Sequence, residues 1–543
     1  MKQTILLFAL IFAVLPSFAD GYVVVFFQSK EGTPYSIDSA QDFLTQRSLD
    51  RRARLNIAVD SLDLPVNPAL LDSLVENNIA ERILYTSRWF NFAVIVPHEN
   101  WRNSIAKSWI KDFFEGQHSL IEQNSESDSE ESESKSWSNT YYTKNCLEIL
   151  GIDLLHDSGL TGKNVRVAVL DAGFKSMPKM AVFDSLFNEN RVIATRDFVD
   201  FDETVYNDHV HGSAVTALMA GNLPGKYKGT APGAEYILIR CENAATETRL
   251  EEYNWVVGAE FADSLGADII NSSLGYNLFD NPAENYSNSD LTGNVAIISR
   301  AGGIATDKGI VVVSSAGNDG NASWRYVSVP SDNEKVFTVG AVDSLGKIAS
   351  FSSVGMPFHH YKPNIVAQGV DVWVPSTTSD LFYKGNGTSY SSPIIAGGVA
   401  CLLQYFSDKT PSQIMDALQS TAQNAQQPDN ILGYGIPNFA SAFYTLSNRE
   451  FPNIGSDIIV EQLMYHRAQS VVSFDIISGA KGEVTIEVFD SLGKKLQNVN
   501  HTIYNQMPTP ISIPIPSITV PQIIFVVVQN GNRDAVTKKL MIY

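Results

Sequence analysis

At 543 residues the chain is long enough for more than one domain, and 44% apolar with 18% charged residues is the make-up of a folded protein rather than a disordered one. A net charge of −20 argues against nucleic acid or an anionic membrane surface as partner. Three cysteines, Cys146, Cys241 and Cys401, are too few and too scattered for a disulfide framework or a cysteine-based metal site, although they leave a Cys146–Cys241 bridge open.

Taken in order, Lys2 precedes an apolar run over residues 5–15, and Ser17-Phe18-Ala19 has the small-x-small form of a cleavage site. Residues 1–19 are therefore expected to be a signal peptide. No later apolar run reaches the ~18 residues a spanning anchor needs, so the chain is expected to be exported without a transmembrane anchor. Residues 20–117 read as a small α/β unit. Residues 22–27 form a strand by their β-branched and aromatic content. Residues 36–56 read as a helix, with Asp38 as cap, Phe43 and Leu44 inward, and Arg47, Arg51, Arg52 and Arg54 outward. A helix over 68–76 capped by Asn67, strands over 83–87 and 91–96, and a short helix near 101–107 follow. Residues 118–138 interleave Glu122, Glu126, Asp128, Glu130, Glu131 and Glu133 with serines, the composition of a solvated acidic linker.

From residue 139 to 447 strands and helices alternate, which predicts a parallel sheet flanked by helices. Strands are expected at 165–170, 236–240, 268–271, 309–315, 336–342 and 365–367. Helices are expected at 147–158, 250–265, 298–308 and 411–422. Asp171, Ser273 and Asn318 fall at the C-terminal ends of strands, where open parallel sheets bind ligands. Residues 451–543 change to short, evenly spaced apolar runs separated by turns, the pattern of a β-sandwich.

One stretch organises the middle of the chain. Gly385-Asn386-Gly387-Thr388-Ser389 is a flexible turn delivering a hydroxyl just before an apolar helix, with Pro393 expected in that helix's first turn. Ala396, Gly397, Gly398 and Ala400 let the helix pack tightly. A serine hydroxyl needs a base to take its proton, and histidine has the suitable pKa. The imidazole needs a carboxylate on its other nitrogen, and the tetrahedral intermediate needs donors aimed at its oxyanion. His211-Gly212-Ser213-Ala214-Val215 opens a helix of small residues, Asp171 ends a buried strand, and Asn318 lies in a glycine-flanked turn. Each alone has an ordinary reading: a helix start at Ser389, a strand-end cap, a loop histidine, a turn former.

Together the segments Val169-Leu170-Asp171-Ala172-Gly173, His211-Gly212-Ser213, Ser273-Leu274-Gly275, Ala316-Gly317-Asn318 and Gly387-Thr388-Ser389-Tyr390-Ser391-Ser392-Pro393 resemble the signature blocks of the subtilisin-like serine proteases, in the same order and over roughly residues 140–445. The resemblance implies Ser389 as nucleophile, His211 as general base, Asp171 as its orienting carboxylate and Asn318 as oxyanion donor. It implies that Ser273, Leu274 and Gly275 bind an extended substrate as an added strand, with Ser315 and Gly317 framing the pocket before the scissile bond. Ala214 stands where the family commonly has a second histidine, and Tyr390 follows the nucleophile where another residue is usual.

The same resemblance recasts the flanks. Residues 20–117 become a ferredoxin-like α+β prosegment that inhibits and assists folding, with Phe43-Leu44-Thr45-Gln46-Arg47, Arg51-Arg52 and Asp63-Leu64-Pro65-Val66-Asn67 similar to phrases of secreted Bacteroidetes-type subtilases. Phe451-Pro452-Asn453, Asp490-Ser491-Leu492-Gly493-Lys494 and Lys538-Lys539-Leu540 resemble the sorting domain of type IX secretion cargo, although Ile454 and Ile523-Ile524-Phe525-Val526 depart from its pattern. The implied partners are protein or peptide substrates, the prosegment itself and a secretion machinery. The chemistry needs no cofactor and no catalytic metal; subtilases often carry structural calcium, but no acidic cluster has a diagnostic spacing. A catalytically silent surface binding protein on the same scaffold is the alternative. An α/β-hydrolase esterase is disfavoured because no Gly-x-Ser-x-Gly elbow occurs.

Overall fold

The computed structural model describes residues 21–116, 141–447 except 202–203 and 358–359, and 458–542 except 468, 479–481, 504–507, 519 and 530–534. The expected signal peptide, the acidic linker and the 451–453 phrase lie outside the described residues.

The N-terminal unit comprises β1 (Tyr22–Phe27), α1 (Gln46–Arg54), α2 (Pro68–Glu76), β2 (Ala80–Ser87), β3 (Phe92–Pro97) and β4 (Ile110–Gly116). Its antiparallel sheet has the order β2-β3-β1-β4, a ferredoxin-like arrangement. The all-apolar β1 makes sense because both of its faces are covered. Val23, Val25 and Phe27 pack under the unit's own helix α2, while Tyr22 and Val24 join the core of the next domain.

Two expectations here are corrected. The helix expected over 36–56 is broken: Ser36, not Asp38, caps a 3-10 turn over Ile37–Asp42, and Thr45 opens α1 by accepting the Ser48 N–H. Thr45 competes for the local backbone as Ser and Thr do at helix starts. Arg51 and Arg52 point inward, each 1% exposed. They are buried because another domain covers that face, which a helical wheel of α1 does not show. β4 was not expected; its mixed sequence becomes a strand by pairing with β1.

The central unit contains β5 (Arg166–Asp171), β6 (Val192–Asp197), α3 (His211–Ala220), β7 (Glu235–Arg240), α4 (Arg249–Ser264), β8 (Ile269–Ser272), α5 (Ile297–Asp307), β9 (Val311–Ser315), β10 (Phe337–Val342), β11 (Ile365–Gln368) and α6 (Thr388–Tyr405). The seven strands form one parallel sheet in the order β11-β10-β9-β8-β5-β7-β6. Side chains alternate between two cores. Val167, Val169 and Leu238 face α3 and α6, whereas Ala168, Leu170 and Ile237 face α4 and α5. The helix expected over 147–158 is two short ones, Lys144–Glu148 and Ile152–Asp157, because Gly151 between them takes φ +69°. β6, a hairpin of Val372–Pro375 with Phe382–Gly385, and a helix over Phe439–Leu446 were not anticipated. All three cysteines are free and buried, so no Cys146–Cys241 bridge forms.

The C-terminal region holds β12 (Ile458–His466), β13 (Val471–Ser478), β14 (Gly482–Asp490), β15 (Lys495–Ile503), β16 (Thr509–Pro514), β17 (Gln522–Gln529) and β18 (Ala535–Ile542). Two sheets, β12-β13-β16 and β15-β14-β17-β18, enclose a core of Val472, Phe474, Ile486, Val488, Ile513, Ile524 and Val526. This is the expected sandwich, with β15 as an addition.

The N-terminal unit docks on α4. Tyr253 of that helix sits among the rings of Phe26, Phe92 and Phe114, 5.4–6.5 Å between centroids. Around this apolar patch runs a buried ion network. The fully buried Asp263 receives the guanidinium groups of Arg51, Arg52 (2.8 Å) and Arg88 (2.7 Å). Arg52 also forks onto Asp63 (2.8 and 2.9 Å), which Lys308 contacts at 3.0 Å. Thr45 caps the last carbonyl of α4, that of Ser264, with both its N–H (3.0 Å) and its hydroxyl (2.7 Å). Burial alone would raise the Asp263 pKa; the charges of Arg51, Arg88 and Arg52 outweigh it and hold the carboxyl below its ordinary range.

Candidate active site

Asp171 closes β5 at the C-terminal edge of the sheet and is fully buried. Its Oδ1 accepts the Ala172 N–H at 2.8 Å and lies 2.8 Å from His211 Nδ1. A carboxylate only accepts, so Nδ1 carries the proton and Nε2 is left as the basic nitrogen. His211 is the first residue of α3, and its side chain is 23% exposed.

Ser389 lies in the first turn of α6, and here the structure corrects the sequence reading. The helix starts at Thr388, so Pro393 falls inside it rather than in its first turn. A proline has no N–H for the carbonyl four residues earlier, which is that of Ser389. That carbonyl is instead taken by Ser273 Oγ at 2.9 Å, and Ser389 Oγ donates back to the Ser273 carbonyl at 3.2 Å. The turn that carries Ser389 is thus fastened to Ser273 by a reciprocal pair. Asn271 supports both sides: its Nδ2 donates to Ser273 Oγ (3.2 Å) and its Oδ1 accepts Ser392 Oγ (2.9 Å). The tight burial expected for this helix holds, since a Cβ on Gly397 would sit 1.9 Å from Thr230 Oγ1.

Asn318 follows Gly317, whose φ of +103° requires glycine, in the turn after β9. Its Oδ1 accepts both the Thr388 N–H (2.9 Å) and the Thr388 hydroxyl (3.0 Å), and that hydroxyl accepts the Gly317 N–H at 3.2 Å. With its oxygen so held, the amide nitrogen is the group of Asn318 left to donate. A Cβ on Gly387 would lie 3.6 Å from Asn318 Nδ2, an ordinary contact, which sets Gly387 beside that donor. The Ser389 N–H stands in the same helix turn, where no intrahelical acceptor exists. Thr388 is a positioning residue that sequence reading missed, although it sits beside Ser389 in the same motif.

Ser273, Leu274 and Gly275 continue past β8 toward Tyr276, which bridges to Val329 through two backbone hydrogen bonds of 3.0 and 3.1 Å. Leu274 is buried and Gly275 exposed. Ser315 and Gly317 lie across from them at the end of the neighbouring strand β9. Tyr390 is buried with its ring 6.4 Å from that of His211, filling the space under Gly385. The residues singled out in the sequence therefore converge on one cleft at the C-terminal ends of β5, β8 and β9.

The acidic oxygens of Asp197, Asp200 and Asp208 come together within 4.8 Å of one another, which invites a test for calcium. They surround the guanidinium of Arg240, 2.7 Å from Asp197 and 3.5 Å from Asp208, with Asp200 also paired. Arg240 already supplies the positive charge, so this cluster does not fit a calcium ion.

Residues 162–435 match the model of the Subtilase family, and residues 22–133 match that of the Peptidase S8 propeptide domain of Bacteroidota. Over 272 residues, 49% of this chain, it is 33% identical to Subtilisin NAT of Bacillus subtilis subsp. natto, of which the match spans 63%. It is 32% identical to Subtilisin of Bacillus pumilus, spanning 87% of that protein. Fervidolysin from Fervidobacterium pennivorans, a keratinolytic enzyme related to subtilisin, shares the fold at a TM-score of 0.51 and 18% identity, over 93% of this chain and 70% of that one. With the family match covering just over half of its length, the chain belongs to the subtilase family.

Proposed function

We propose that the protein is a serine endopeptidase made as a self-processing proenzyme. The observation that carries this reading is the contact of Asp171 Oδ1 with His211 Nδ1, at the head of a helix packed beside the one bearing Ser389. In the proposed reaction His211 Nε2 takes the Ser389 hydroxyl proton as Oγ bonds to the scissile carbonyl carbon. The resulting oxyanion is met by Asn318 Nδ2 and the Ser389 N–H. Collapse of the intermediate breaks the C–N bond, the imidazolium returns its proton to the leaving amine, and water then hydrolyses the acyl-enzyme by the same proton path. Asp171 keeps the imidazole in the needed tautomer and stabilises its charged form. Ser273 to Gly275 offer backbone groups to an extended substrate, with Ser315 and Gly317 beside the residue that precedes the scissile bond.

The N-terminal unit acts as prosegment, and the reading also includes export through residues 1–19 and recognition of the C-terminal sandwich by a secretion machinery. Among the described residues no helix is long and apolar enough to cross a membrane.

The test is the intact mass of residues 20–543 after incubation, wild type beside Ser389→Ala. Loss of an N-terminal fragment ending between about residues 108 and 145 in wild type alone is the expected result. If both chains stay whole and neither cleaves added casein, the scaffold is a silent binding protein and the reading falls.

A further inference from the structure

Strand alternation sorts the side chains at the end of β8. Ile269 belongs to the core on the α6 side of the sheet and Ile270 to the core on the α4 side. Asn271 and Ser273 therefore present their side chains toward α6. Ser272 turns to α4, where its Oγ accepts the Trp255 indole N–H at 2.9 Å. Asn271 and Ser392 are fully buried, and Ser273 is buried as well. The backbone of β8 is clamped on both sides, with Asn271 paired to Val169 of β5 and to Val313 of β9. The proposed mechanism uses Ser273 and Ser389 and gives Asn271 no part.

Hydrogen-bond polarity is forced, link by link, from the helix back to the strand. Pro393 has no N–H, which leaves the Ser389 carbonyl to be met by Ser273 Oγ at 2.9 Å. A carbonyl only accepts, so Ser273 spends its one hydroxyl proton there. Its oxygen is left as an acceptor, and the group it meets at 3.2 Å is Asn271 Nδ2. With the nitrogen so directed, Asn271 Oδ1 faces Ser392 and accepts its hydroxyl at 2.9 Å. A side chain at 271 must therefore donate on one edge and accept on the other, in a place closed to water. An amide does both; a carboxylate or an alkyl group does not.

Both edges of this amide act on one helix turn. Through Ser273 it reaches the Ser389 carbonyl, and directly it holds Ser392, three residues further along α6. Between those two points lies the backbone that sets the pitch of Ser389. The proposed reaction needs the Ser389 Oγ at the scissile carbon and the Ser389 N–H at the oxyanion together, so a small tilt of this turn displaces both. Misplacing reacting groups by about 1 Å costs on the order of 100-fold in rate.

Resting on the peptidase reading, we propose that Asn271 is a positioning residue of the reaction: its amide, acting through Ser273 and Ser392, sets the turn of α6 that aims the Ser389 hydroxyl and N–H at the substrate. The experiment compares matured wild-type enzyme with Asn271→Ala, Ser273→Ala and the double variant on one peptide anilide, with active sites counted by complete labelling with a serine-directed phosphonate. Asn271→Ala is expected to lower kcat by about 10- to 100-fold with KM within about threefold, because the pairing of β8 still places the segment that follows it. The double variant should lose less than the product of the two single losses, since both act on the same carbonyl. Ser272→Ala, which cuts the bond to Trp255 on the opposite face, is the control: a lower Tm with kcat within about twofold. Asn271→Asp keeps the shape of the side chain and loses the donated hydrogens, so it should repeat the kcat loss and serves if the alanine variant does not fold. An unchanged kcat, a loss expressed in KM alone, single losses that multiply in the double variant, or an equal kcat loss in Ser272→Ala overturns the proposal while leaving the peptidase reading standing. Absence of a cooperative melt in both Asn271 variants makes the residue a structural one and overturns it too. A wild-type enzyme that cleaves no peptide overturns both readings.

Discussion

Ser389 owes its setting to a proline four residues on. Because Pro393 cannot donate to the Ser389 carbonyl, the first turn of α6 is free to bond sideways to Ser273. The Ser389 hydroxyl, its backbone N–H and the Ser273 segment are thereby placed by one local device. Asn318 is placed by another: Thr388 occupies its oxygen and leaves its nitrogen to donate. Asn318→Ala is therefore expected to lower kcat by about 100- to 1,000-fold with little change in KM, the size found for removing one such donor in subtilisin. Single-turnover hydrolysis of a peptide anilide measures it, and a matching rise in KM would mean that Asn318 serves ground-state binding instead. Asp171, His211, Ser389 and Asn318 were all legible as residues, since their motifs are short and local. Thr388 was not, because its role depends on which distant group its side chain meets.

At the scale of elements, the meeting of α1 with α4 governs how the N-terminal unit is held. Three guanidinium groups converge on Asp263 in a site closed to water, and removing one partner of such a network leaves uncompensated buried charge. Asp263→Ala in a Ser389→Ala background is expected to destabilise the docked N-terminal unit by about 3–5 kcal/mol, read as an earlier thermal transition of that unit. The acid response has a definite sign. Asp263 and Asp63 both have folded-state pKa values below the ordinary range, so their stabilisation is complete above about pH 4 and is lost as the pH falls through the lower folded values. Glu260, which burial raises, acts in the opposite direction and gains on milder acidification. Docking should therefore hold or tighten slightly between pH 7 and 5 and weaken below about pH 4, where the arginines stay charged against neutral acids. Circular-dichroism melts of Ser389→Ala across that range check it; a steady loss from pH 7 downward would contradict this assignment. Reading Arg51 and Arg52 as outward-facing failed because helix periodicity identifies a polar face but not what covers it.

For the whole molecule, three hydrophobic cores serve the N-terminal and central units, with the face of β1 toward α4 shared between them, while residues 458–542 enclose a core of their own. Among the described residues Tyr405 reaches Asp475 at 3.5 Å, a long hydrogen bond. A chain ending at residue 447 is accordingly expected to fold, mature and cleave peptides within about twofold of the full-length rate. A truncated chain that fails to mature would show that the sandwich supports folding of the catalytic unit. The N-terminal unit is different in kind: half of its sheet is buried only when docked, so it is built to depend on its partner.

Most strands and helices of the central unit, the β-sandwich and the short motifs around Asp171, His211, Asn318 and Ser389 were determined by the sequence itself, because they rest on periodicity and turn chemistry that act over a few residues. The tertiary structure alone decided the burial of Arg51 and Arg52, the exchange between Ser273 and Ser389 and the free cysteines. Each of these joins groups 100 or more residues apart or depends on what such packing covers, and no local pattern encodes which distant surface a side chain will face.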